Sequence, residues 1–148
     1  MRYDCPDCAG RIRTRRTIRT KKRLDTGRDG RPILYTVFTI PPHLRERFQE
    51  RKQWRKLLRS IWKLLKEEFG GQYAVEASHP HGDPRKGGDP QVFHPHANFL
   101  WVQRQGCSPF IDTERLWHRY CSLLGVEVSD VWHHYYKDSE ADELYTRI

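Results

Sequence analysis

The chain has 148 residues, 36% of them hydrophobic, with 5 Trp, 7 Tyr and 6 Phe, and carries a formal net charge of +8. That length fits one domain with at most a small appendage, and the aromatics give it enough bulk for a core. No apolar run reaches the ~18 residues needed to span a bilayer and no h-region follows Met1, so the chain is expected to be soluble and cytoplasmic rather than a membrane protein or a secreted disulfide scaffold.

The charge is concentrated at the start. Residues 1–32 hold 11 Lys/Arg against 4 Asp/Glu, whereas the other 116 are nearly balanced, at 16 against 15. Lys and Arg that neutralise phosphates release counterions, so a basic arm on a nearly neutral body points to a polyanion. Solubility is the plainer use of the same charge. Arg11, Arg13, Arg15, Arg16, Arg19, Lys21 and Lys22 are the candidate phosphate contacts of this arm. Within it, Cys5-Pro6-Asp7-Cys8 followed by Ala9-Gly10-Arg11 has the shape of one zinc-ribbon knuckle, a tight turn that aims two thiolates at one ion. No second Cys-x-x-Cys follows, so Zn²⁺ at Cys5 and Cys8 would need ligands from elsewhere. Cys107 and Cys121 lack knuckle spacing and read as buried or idle thiols.

Asp25-Thr26-Gly27-Arg28-Asp29-Gly30 reads as a turn. Residues 33–40 are β-rich and stop at Pro41-Pro42, which predicts a strand. A long helix is expected from about His43 to Phe69, with Trp54, Leu57, Leu58, Ile61, Trp62 and Leu65 at the spacing of one face. Its other face carries Arg51, Lys52, Arg55, Lys56, Arg59, Lys63 and Lys66, either a solvated face or a set of phosphate contacts led by Arg55 and Arg59. Gly70-Gly71 ends it as a left-handed C-cap. A short strand over 72–78 and a Gly/Pro-rich loop over 79–90 lead to a second strand, expected to pair antiparallel with the first of the two.

That second strand, Val92-Phe93-His94-Pro95-His96-Ala97-Asn98-Phe99-Leu100-Trp101, is the most informative stretch. Strand side chains alternate between faces. His94, His96 and Asn98 therefore share one face, followed by Leu100 and Val102, with Phe93, Pro95, Ala97, Phe99 and Trp101 behind them. A solvated strand has no need of Phe99 and Trp101, and a core strand does not choose two histidines and an asparagine. A His-rich edge strand facing water is the plain alternative. Beyond it, Asp112 caps a helix through about Leu124, with Leu116, Trp117, Tyr120, Leu123 and Leu124 as its apolar side and Gly125 as its stop. A last strand over 126–137 and an acidic helical tail over 139–148 complete the chain. The interleaved order predicts an α+β fold: a small antiparallel sheet with helices packed on one face, ferredoxin- or RRM-like, its other face free for a ligand. Residues 1–32 form the arm and 33–148 the body.

A strand ended by Pro-Pro, a long basic helix, a strand ending in Glu76-x-x-His79, a Gly/Pro loop and then the run from Phe93 to Trp101 together resemble the HUH-type single-strand DNA endonucleases. That superfamily includes rolling-circle replication initiators and single-strand transposases, and the resemblance covers roughly residues 33–148. It implies a central strand whose His-hydrophobic-His, often preceded by Pro, holds a divalent metal. It also implies a helical tyrosine that attacks a DNA phosphate and stays linked to the 5′ end. Pro95-His96-Ala97-Asn98 matches this motif with asparagine in the second ligand place. An amide oxygen there suits Mg²⁺ or Mn²⁺ better than a soft ion. Glu76 is the first choice for a third ligand, with His79, His81 and His94 as rivals; His133 and His134 read as structural. Tyr145, near Arg147, is the candidate nucleophile on the tail, with Tyr136 and Tyr135, just before Lys137, as alternatives.

The implied activity is metal-dependent nicking and joining of single-stranded DNA through a phosphotyrosine, in replication initiation or transposition. Two other readings stay open. One is a non-catalytic module that binds single-stranded nucleic acid through backbone contacts and base stacking. The other is a metal hydrolase of small phosphoesters, which leaves the basic arm unexplained.

Overall fold

The computed structural model describes residues 6–81, 91–108 and 110–136. Its elements run α1 (Pro6–Arg28), β1 (Ile33–Thr39), a 3₁₀ turn (Pro42–Leu44), α2 (Arg45–Gln49), α3 (Arg51–Glu68), β2 (Gly71–His81), β3 (Phe93–Gln103), α4 (Thr113–Leu124) and β4 (Val131–Tyr136). The four strands form one antiparallel sheet in the order β2-β3-β1-β4. With α3 crossing between β1 and β2, and α4 between β3 and β4, this is the ferredoxin-like α+β arrangement.

Alternation along the strands builds two different faces. Leu34, Phe38 and Ile40 of the β1 segment and Ala97, Phe99 and Trp101 of β3 pack with Leu57, Ile61, Leu64 and Leu65 of α3 and Leu116, Tyr120 and Leu124 of α4. Trp101 is fully buried there, with its Nε1–H donated to Thr36 Oγ1 at 3.0 Å, so its polar atom is paired as a buried indole requires. The expected helix caps are present. Asp112 accepts from the Arg115 N–H at 2.9 Å, and Gly125 closes α4 in the left-handed region. Gly70 follows α3 at φ +73°, and a Cβ there would fall 2.7 Å from Cys107 Sγ, so both backbone and space demand glycine.

The helix expected over 43–69 is broken. Glu50 is extended, at ψ 117°, and separates α2 from α3. At about 100° per residue, Phe48 on a straight helix would sit roughly 120° round from Trp54. The break instead turns Phe48 into the core, edge-on to Trp54 at 6.3 Å.

The basic arm is also structured. α1 continues to Arg28, through most of the segment expected to turn, and packs on β2 and β3 across the second sheet face. Leu24 is buried there with Ile33, Tyr35, Leu100 and Val102. Arg31 secures its end, donating to the carbonyls of Gly27 and Arg28 and to Gln72 Oε1. The second face, expected to be free, thus carries a helix over part of its area. Among the described residues no helix is long and apolar enough to cross a membrane.

Candidate functional site

The β2–β3 register places His79 opposite His96 and Ala77 opposite Asn98. These residues lie on the second face, in line with Leu100 and Val102. The two imidazoles stack with centroids 5.0 Å apart and planes 9° apart. This pairing exists because β2 runs on to His81, past the end expected at Ser78. Pro80 would interrupt a central strand, but β2 is an edge, where a missing N–H need not break a ladder. Between His79 and His81 the register shifts, so that two steps of β2 meet three of β3, and Pro80 and Pro95 both fall in that bulge. His81 lies beyond it, against Phe93 rather than His96.

His96 Nδ1 lies 3.2 Å from the carbonyl oxygen of His94. A carbonyl only accepts, so Nδ1 carries the proton and Nε2 the lone pair. His94 sits 6.1 Å from His96, centroid to centroid. Burial, Arg45 and His96 push its imidazole below the ordinary histidine range, against an opposing pull from Asp130. Asn98 is 5% exposed, and its Oδ1 is buried with no hydrogen-bond partner among the described residues. A buried acceptor left without any partner costs about 1–3 kcal/mol, so this amide oxygen is a candidate ligand-binding atom.

Glu76 is not part of this cluster. It pairs with Phe99, three residues before His79, and an odd separation puts it on the opposite face. Its carboxylate accepts from Ser78 Oγ, which in turn accepts from Trp54 Nε1 at 2.9 Å. It lines a cleft of about 420 Å³ with Arg59, Trp62 and Phe99, under α3. Arg55 and Arg59 are exposed on that side, a sheet thickness from His96, whereas Arg15, Arg19, Lys21 and Lys22 are exposed on α1, on the side of His96. Arg11, Arg13 and Arg16 belong to the same helix.

Tyr135 and Tyr136 pair with Leu34 and Ile33, while His96 pairs with Thr39 at the other end of β1. Five to six residues of strand separate the two rows, roughly 17–20 Å, which exceeds a side chain's reach. The β4 tyrosines are therefore not brought to the histidines. Tyr145 lies outside the described residues, as does Cys5. Cys8 falls within α1, so a knuckle turn does not extend to it. His133 accepts within a buried chain, Trp101 to Thr36 to Nδ1 at 2.8 Å, and burial pushes its pKa down to about 4; it is structural, as expected. Cys107 and Cys121 are free thiols, exposed and buried respectively.

Among the described residues no group of three or more His, Cys, Asp or Glu side chains is placed to hold a metal. What this face does bring together is the stacked His79–His96 ring pair, with Asn98 two residues along β3. The register also brings in Trp132, which sequence alone did not single out: Val37 pairs with Asn98 on one side and with Trp132 on the other. Comparison with protein-family models, curated proteins and solved structures finds no match for this chain.

Proposed function

We propose that this domain nicks and rejoins single-stranded DNA with a divalent metal and a phosphotyrosine intermediate, in replication initiation or transposition. The observation that supports the reading is the buried Oδ1 of Asn98, which has no hydrogen-bond partner among the described residues, two residues from His96, whose Nδ1 is committed to the backbone. His96 Nε2 and Asn98 Oδ1 would be the donors for one ion. The amide oxygen suits Mg²⁺ or Mn²⁺, and the imidazole nitrogen favours Mn²⁺ of the two. His79, stacked on His96, would steady that ring. The bound metal would polarise the scissile phosphate and offset the charge developing on it.

Exposed Arg15, Arg19 and Lys22 of α1 supply backbone contacts on the same side. Tyr145 is the nucleophile in this reading. Its hydroxyl oxygen bonds to phosphorus as the bond to the 3′ oxygen breaks; the tyrosine loses its proton, and the leaving oxygen gains one. The phosphotyrosine conserves the bond energy, so a 3′-hydroxyl can reverse the step and rejoin the strand.

The separation of Tyr135 and Tyr136 from His96 favours, as a second reading, a module that grips single strands without cutting them. Incubating the protein with a labelled single-stranded oligonucleotide pool, in Mn²⁺ or in chelator, separates the two. Cut products on a denaturing gel only in Mn²⁺ are expected. Equal binding in both conditions with no cut product would favour the module.

A further inference from the structure

The second sheet face is divided. α1 packs on β2 and β3, while β1 and β4 present Tyr35, Val37, Trp132 and His134 on the same side. Trp132 is 48% exposed, although it is among the largest apolar side chains of the domain. It is nonetheless held in place. Buried Tyr35 meets it edge-on at 5.3 Å and 74°, and His134 lies nearly parallel to it, at 5.7 Å and 14°. A fixed aromatic with part of its surface in water is what a flat ligand needs.

The register puts this surface beside the candidate metal donors. Val37 lies between Asn98 and Trp132, so the two residues are two strand spacings apart, roughly 10 Å. We infer that Trp132, backed by Tyr35 and His134, is a stacking platform for one unpaired base of a DNA strand whose backbone runs across this face toward the basic side chains of α1. The inference rests on the single-strand reading of this face but needs neither the metal nor the tyrosine.

Charge argues for this occupant. The helix on the same face is α1, whose exposed Arg15, Arg19 and Lys22 complement a phosphodiester backbone. A protein partner would want a continuous apolar patch, whereas the exposed residues flanking Trp132 are the polar Asp130 and His134, with exposed Val128 set apart from it beyond Asp130 and buried Ser129. Stacking on an aromatic face tolerates any base, so the platform would add affinity and register rather than sequence choice.

The test is binding of a fluorescein-labelled oligothymidylate in chelator, followed by anisotropy, so that no cutting intervenes. Trp132→Ala is expected to weaken binding about 5- to 150-fold, while Trp132→Phe keeps most of the affinity. An abasic site moved along the oligonucleotide should weaken the wild type at one position and leave Trp132→Ala indifferent there. Circular dichroism of the variants checks the fold. Wild-type affinity in Trp132→Ala, or no position sensitive to the abasic site in the wild type, would overturn the platform alone. A wild-type protein that binds no single strand would overturn the functional reading and the platform together.

Discussion

His79 and His96 face each other across the β2–β3 ladder, their rings parallel within 9° and 5.0 Å apart. Glu76, on the same strand as His79, points to the other side of the sheet. Metal titration by calorimetry should therefore sort the three residues. His96→Ala is expected to abolish Mn²⁺ binding, His79→Ala to weaken it by loosening the His96 ring, and Glu76→Ala to leave it unchanged. Loss of Mn²⁺ binding in Glu76→Ala, with His96→Ala unaffected, would move the site to the cleft under α3.

Asn98 is expected to trade stability for binding. Asn98→Leu removes a buried acceptor that has no partner among the described residues and puts an apolar side chain of similar size in its place, so it should stabilise the domain by about 1 kcal/mol. The same variant should gain no further stability from Mn²⁺, whereas the wild type should. Asn98→His is expected to shift preference towards Zn²⁺, Co²⁺ or Ni²⁺ over Mg²⁺. Melting curves with and without each ion read all three effects. A destabilised Asn98→Leu would mean the amide makes a contact that matters.

Acid should expose His133. Its folded pKa is depressed to about 4 from an ordinary 6.5, because burial disfavours the imidazolium. Between those values the unfolded chain binds the extra proton, so unfolding becomes easier as pH falls. The contribution is fully present above pH 6.5 and lost on the way to pH 4, at most about 3 kcal/mol. Urea unfolding across that window should show the slope in the wild type and a flatter one in His133→Gln. Identical slopes would remove His133 from the balance.

α1 should prove integral rather than detachable. Leu24 is buried against Ile33, Tyr35, Leu100 and Val102. Leu24→Ala is expected to cost about 2–5 kcal/mol by urea unfolding, in the range for a large-to-small core change. A loss under 1 kcal/mol would mean the helix is only loosely laid on the sheet.

Much of this fold was legible in the sequence because the signals were local. Alternation in β3, the Asp112 and Gly125 caps and the apolar stripe of α3 each depend on a few neighbouring residues, and each is found where expected. What escaped depended on pairing. Pro80 argued for a loop after Ser78, and only the edge position of β2 makes it tolerable; His79 thereby joins His96, and Glu76, three residues earlier, is excluded. The break at Glu50 serves the burial of Phe48, a tertiary demand with no local signature. α1 hid behind its charge, because its docking rests on Leu24 and Arg31 rather than on an amphipathic repeat. Trp132 was visible only as an aromatic on a strand until the Val37 register set it beside Asn98.

The most direct measurement is mass spectrometry of the protein after incubation with a single-stranded oligonucleotide pool and Mn²⁺, under denaturing conditions. The expected result is a protein–DNA adduct that maps to a peptide containing Tyr145, disappears in chelator and in His96→Ala, and is abolished by Tyr145→Phe while oligonucleotide binding persists. An adduct that survives chelator, or an intact oligonucleotide with no adduct under conditions where the wild type binds it, would contradict metal-dependent nicking at His96 and Asn98.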